Sequence, residues 1–189
     1  MSSPELSQPA LNRAMTEAVE FVHAEGWDAR PTIFALVPTH LVADQLAALD
    51  EEDAAPLTLI VQDNVPENIE PGSEQLADYV SRLAWPREVA GVILAQEIRF
   101  RDTSSEDPSP RPARLFSGAL REEGIETTLL QLRPTEEELE AAGPFAEDDI
   151  QLRGGPQVAP GVIAALRYGL NQDPDELDSV SYTHLTLPT

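Results

Sequence analysis

The chain has 189 residues, 41% of them hydrophobic and 24% charged, with a net charge of −22; these are the proportions of a globular chain that can bury a core without covalent staples. Such an acid excess opposes phosphate backbones and anionic membrane surfaces, which attract cationic side chains, so neither nucleic acid nor a membrane is an expected partner. There is no cysteine, which excludes disulfides and thiolate-based metal or redox chemistry.

Residues Met1 to Gln8 offer no basic n-region and no apolar h-region, and no apolar run approaches the roughly 18 residues of a membrane span. A cytoplasmic address is expected. All 12 basic residues are arginine. In a chain rich in Ala and Pro, GC-rich codons account for that bias more simply than a demand for guanidinium chemistry.

Leu11, Ala14, Met15, Ala18, Val19 and Val22 recur at helical spacing, and Gly26 stops the helix they define. Thr32 to Val37 is a short apolar run ahead of Pro38 and reads as a buried strand. Thr39 can cap a second helix carrying Val42, Leu46 and Leu49 on its buried face. Leu57 to Gln62 is a second strand, and Asp63 to Gly72 is a proline-containing loop. Ser73 caps a third helix with Leu76, Tyr79, Val80 and Leu83 inward, closing at Trp85-Pro86.

Val89 to Arg101 is the clearest strand: Val92, Leu94, Ile98 and Phe100 share one face, and Glu97, Arg99 and Arg101 share the other. Residues 103–112 are rich in Ser, Pro and acid and are expected to be a mobile loop. Arg114 to Leu120 and Ile125 to Leu132 flank Arg121-Glu122-Glu123-Gly124, the pattern of a β-hairpin. Thr135 with Glu136, Glu137 and Glu138 opens a short helix that Gly143-Pro144 ends. A loop holding Gly154, Gly155 and Pro156 follows, and Pro160 begins a last helix with Val162, Ile163, Leu166 and Leu170 inward. The expected fold is α+β: a single domain over residues 1–179, with a mostly antiparallel sheet of about five strands and helices packed on it.

Three stretches carry a resemblance. Trp85-Pro86 with Val89-Ala90-Gly91 leads into the strand of Glu97; Arg114-Leu115, Gly118, Leu120-Arg121 leads through a Gly turn to Leu132-Arg133; Val158-Ala159-Pro160-Gly161 leads to Ala165-Leu166. In order and spacing these resemble a family of small, acidic, uncharacterised actinobacterial proteins, over roughly Ala35 to Leu170. The resemblance implies an origin and no site. The family pattern often has His-Pro ahead of the hairpin, where this chain has Pro110-Arg111-Pro112, so a catalytic loop histidine finds no support. Position 92, often cysteine in that pattern, is Val here, which points to packing volume.

Chemistry-bearing candidates are few. His40 and Asp44 stand four apart and could act as a base and its orienter, but no nucleophile is tied to them by any motif. His23 falls near a helix C-terminus, where the dipole favours it. The acidic runs at Asp50 to Asp53, Glu136 to Glu138 and Glu147 to Asp149 lack the alternation and turn glycine of a calcium loop, and solvated surface explains them. Arg153-Gly154-Gly155 could form an anion nest, yet Gly-Gly-Pro is first a turn signal. Nucleophile-elbow, P-loop and dinucleotide patterns are absent. No catalytic, cofactor or metal residue is assigned.

The arginines are unevenly placed. Residues 99–133 hold six arginines and six acids, net zero; the rest of the chain holds 12 − 6 = 6 arginines against 34 − 6 = 28 acids, net −22. Arg99, Arg101, Arg114 and Arg133 are the candidate patch for an acidic peptide or small anion, with cross-strand pairing to Glu97 and Glu126 as the alternative. The leading expectation is a non-enzymatic binding or regulatory module acting through a protein partner. The alternatives are an enzyme or small-ligand binder whose site is assembled from distant residues, and a structural subunit of a larger assembly.

Asp173-Pro174-Asp175-Glu176-Leu177 is a strong helix start. Val180 to Thr189 then contains no acid, is threonine-rich, and ends at Pro188-Thr189. It resembles translated sequencing-adapter read-through, so a non-native tail is expected there.

Overall fold

The structure, a computed structural model, describes residues 7–39, 56–62, 69–70, 73–83, 85–86, 88–100, 110–122, 124–133, 136–142, 153–154 and 160–171. The expected helix after Thr39, with His40 and Asp44, lies outside the described residues, as do Arg101, most of the 103–112 segment and the 180–189 tail. In chain order the elements are α1 (Gln8–Glu25), β1 (Thr32–Pro38), β2 (Leu57–Gln62), α2 (Glu74–Ser81), β3 (Gly91–Phe100), β4 (Arg111–Leu120), β5 (Glu126–Leu132), α3 (Glu136–Ala142), β6 (Arg153–Gly154) and α4 (Pro160–Leu170). The strands form one sheet in the order β2-β1-β3-β4-β5-β6, and every neighbouring pair is antiparallel. This is the α+β architecture that the alternation of patterns predicts.

Helix α1 starts where the Ser7 side chain accepts from Ala10 N at 3.3 Å. It ends at Gly26, whose φ of 93° is open to glycine and costly for other residues. Its buried stripe of Leu11, Ala14, Met15, Ala18, Val19 and Val22 is the one the spacing predicts, extended by Ala10. Alanines at 10, 14 and 18 let the helix lie close to the sheet, where it packs against Phe34, Leu36, Ile93, Phe116 and Leu120.

The opposite sheet face, with Ile33, Ala35, Val37, Val92, Leu94 and Ala119, is covered by Leu76 and Val80 of α2 and by Ile163, Leu166 and Leu170 of α4. Strand β1 is buried across its whole centre, Ile33 to Val37, because helices cover both of its faces. That is why it reads as an unbroken apolar run and not as an alternation.

Helix α2 is capped by Ser73, whose Oγ accepts from Leu76 N at 3.2 Å and donates to Glu70 O at 2.6 Å. Ser73→Ala is expected to cost about 1 kcal/mol, a fall of about 2–4 °C in melting temperature, checked by thermal denaturation. The helix ends at Ser81, before the Trp85-Pro86 stop that the sequence suggests, although Leu83 and Trp85 remain buried.

Two differences from expectation in the sheet bear on the site. The hairpin strand begins at Arg111, three residues early, so Arg111 and Pro112 belong to β4 and not to a loop. The Arg111 guanidinium donates through Nε and Nη2 to Arg133 O, at 3.1 and 2.8 Å, and Arg133 N donates to Pro112 O at 2.9 Å. Those bonds hold a proline-containing strand start in the sheet. The second difference is β6, whose two residues pair with Leu129 and Leu130 in a stretch that reads as a glycine turn. Two residues are too few to register as a periodic pattern.

Candidate functional site

The site lies where α1 runs out and the sheet does not. Strands β3 and β4 stay paired over ten positions, from Gly91↔Leu120 to Phe100↔Arg111. Under α1 the rows are apolar, the last being Ala95, Phe116 and Leu129. The next row on the same face is Glu97, Arg114 and Gln131. Beyond it come Arg99 and Pro112, with Arg133 two residues past Gln131 on β5's strand line. The period of two carries each strand from apolar to polar at the point where the helix ends.

Residues 26–29, which lead the chain out of α1, close over that row. The Trp27 ring stacks on the Arg114 guanidinium, 4.0 Å from centroid to Cζ, with Arg133 at 5.4 Å. A cation–π contact away from water is worth up to about 2 kcal/mol. Asp28, at φ 66° the single non-glycine residue with positive φ among those described, pairs with Arg133 at 3.2 Å. Ala29 N donates to Glu97 Oε2 at 2.6 Å. Trp27, Asp28 and Ala29 are thus held by successive strands, and the bent backbone is fixed by side chains and not by a ladder.

Arg114 is 1% exposed. Its Nη1 donates to Gln131 Oε1 at 3.1 Å, while Nε and Nη2 are buried with no hydrogen-bond partner. Burial pushes the guanidinium below its ordinary pKa; neighbouring Glu97 works against that shift and Arg133 adds to it. Arginine's margin above neutrality is wide enough that the group keeps its charge.

The four candidate arginines therefore separate. Arg99 is exposed at the end of β3. Arg133 is half-exposed beside Asp28, Arg114 is sealed under Trp27 instead of facing solvent, and Arg101 lies outside the described residues. Glu126, one of the two acids named for cross-strand pairing, takes Arg167 Nε at 2.8 Å. Trp27, Asp28 and Gln131 were not legible as site residues, although an aromatic directly after a helix-stopping glycine was available as a signal. Among the described residues no group of three or more His, Asp or Glu side chains is placed to hold a metal, and no helix is long and apolar enough to cross a membrane.

Two further arginines, Arg121 after β4 and Arg167 on α4, are structural. Arg121 donates to the carbonyls of Trp85, Pro86, Val89 and Leu170. Arg167 donates to those of Leu120, Glu122 and Ile125. Their charges are spent on chain closure.

A family model described as PPA1309-like protein matches residues 11–171. That span takes in both helical layers, the whole sheet and the Trp27 segment. No curated protein and no solved structure matches the chain.

Proposed function

The chain belongs to the PPA1309-like protein family, and we propose that it is a non-enzymatic binding module that takes an acidic segment of a protein partner at the uncovered end of the α1 face. The observation that supports this most is the emergence of Arg133 beside the half-buried Trp27 ring, with Arg99 exposed further along the same sheet face, at the point where helix cover stops. An aromatic edge with guanidinium groups around it suits a carboxylate-bearing peptide, because the ring supplies contact area at low entropic cost and arginine supplies paired donors. At a net charge of −22 the chain as a whole repels such a partner. The attraction therefore acts within about one Debye length, roughly 10 Å at 0.1 M salt, where these arginines decide the sign. An actinobacterial source and a cytosolic address belong to the same proposal, supported by the arginine-only basic set and the lack of cysteine.

The test is affinity capture from the native host with the wild type, with Arg99→Glu/Arg133→Glu, and with Arg82→Glu, at the exposed C-terminal cap of α2, as a control. The double variant is expected to lose the partner that the control retains while still unfolding cooperatively on heating. Retention of every captured protein by the double variant ends the proposal.

A further inference from the structure

Arginine's donors are not equivalent. Nε–H and the nearer N–H of Nη2 point the same way along one edge of the guanidinium, and that edge matches the two oxygens of a carboxylate. In Arg114 the two buried nitrogens without a partner are Nε and Nη2. The third nitrogen is occupied by Gln131, and one face of the plane is covered by Trp27. Glu97, the register partner of Arg114 on β3, has its Oε2 on Ala29 N instead. A structural arginine occupies its donors, as Arg121 after β4 and Arg167 on α4 do. Leaving an ionised fork buried and empty is costly unless something fills it.

We infer that the Nε–Nη2 edge of Arg114 is a recognition fork for a single carboxylate, reached when the 26–29 segment lifts from the sheet. The inference rests on the proposed binding face and names the atoms that would read the acidic partner. A monoanion is favoured over a dianion by the surroundings. Arg99, Arg114 and Arg133 against Glu97 and Asp28 leave one net positive charge among these five side chains, and the negative end of the α1 dipole lies alongside. The segment that must move carries the bent backbone at Gly26 and Asp28; among the described residues, Trp27, Asp28 and Ala29 are tied to the sheet through Arg114, Arg133 and Glu97. These are ties that a competing carboxylate could exchange.

Proton–nitrogen correlation NMR of the full chain reads the fork directly, through the Arg114 Nε–H and Trp27 indole signals. The probes are acetate, a capped Ala-Ala-Glu-Ala-Ala peptide and inorganic phosphate. Both carboxylates are expected to move the Arg114 Nε–H signal downfield to saturation, the peptide at least about tenfold more tightly, with the Trp27 indole signal following. Arg114→Lys, which keeps the charge and removes the fork, is expected to abolish saturation; the wild-type titration decides the matter even if that variant fails to fold. No movement with either carboxylate overturns the inference, as does a response to phosphate alone. A signal already downfield without ligand that returns upfield in Glu97→Gln also overturns it, since Glu97 then fills the fork. Acetate binding as tightly as the peptide keeps the fork but removes the peptide-binding reading. Loss of partner capture in Arg99→Glu/Arg133→Glu with a silent Arg114 keeps that reading and removes the fork.

Discussion

Arg121→Lys is expected to destabilise the chain by about 3 kcal/mol, seen as a lower urea midpoint at unchanged slope. The side chain leaves the turn between β4 and β5 and spreads over two other parts of the chain. Nε donates to Val89 O at 2.6 Å, Nη2 to Trp85 O and Pro86 O at 3.0 and 2.8 Å, and Nη1 to Leu170 O at the end of α4. Its own backbone N–H donates to Ala90 O at 2.9 Å. Burial lowers its pKa, opposed by Glu88, so carbonyl oxygens do most of the work of accommodating the charge. A lysine ammonium is a single point at the end of a flexible stem and cannot span four acceptors in one plane. At least two part-buried carbonyls then lose their donor, each at about 1–3 kcal/mol. Arg82→Lys is the comparison: Arg82 is exposed and pairs only with Asp78 on its own helix, so a change within about 0.5 kcal/mol is expected. Equal effects for the two substitutions would mean that the Arg121 carbonyl cluster is not what joins α4 to the hairpin.

Three glycines should respond to alanine in a fixed order. A Cβ on Gly91 would press on the Leu120 side chain, lie 2.6 Å from Ala119 O and 3.2 Å from Leu120 Cα. Strand pairing leaves those backbone atoms nowhere to go, and Gly91→Ala is expected to cost about 3 kcal/mol or more. On Gly169 the methyl would lie 2.8 Å from Leu83 O and 2.9 Å from Val80 O, driving α4 off α2 at about 2–3 kcal/mol. On Gly118 the nearest atom is Met15 Sδ at 2.6 Å. That sulfur belongs to a flexible thioether side chain, and the next atoms, of Ile93 and Leu11, lie at 3.3 Å, so about 1 kcal/mol is expected. Urea unfolding of the three variants checks the series. A Gly118→Ala penalty as large as that of Gly91→Ala would show that α1 is pinned as rigidly as the strands.

The parts of the fold legible in the sequence are those set by a residue's immediate neighbours along the chain. The α1 stripe, the unbroken apolar run of β1, the alternation in β3 and the Ser73 cap are all of this kind. The site was legible only in part, because what decides exposure there is a length and not a pattern. The alternation puts Glu97 and Arg99 on the same side of β3, and they share it. The pattern within a strand cannot say how far along that side the helix above extends. Arg114 has the alternation of a solvent-facing residue and is nevertheless buried, because the turn after α1 folds Trp27 down upon it. The arginine count misled for a related reason: a guanidinium that closes the chain on carbonyls looks identical, in sequence, to one waiting for an anion.

The strand order bears on the sequence in which the protein assembles. With β2-β1-β3-β4-β5-β6 across the sheet, β4 and β5 can each dock on the edge presented by the strand made just before it as the chain leaves the ribosome. β1 is the exception. Its outer edge is taken by β2, but its inner edge waits for β3, some fifty residues downstream of where β1 ends. Until then Ile33 to Val37, buried on both faces in the finished protein, is an apolar strand with an open row of donors and acceptors, the arrangement that recruits another chain. At about 5–20 residues per second that exposure lasts several seconds. The β1–β2 pair is thus the stretch of a nascent chain that a chaperone has most reason to hold.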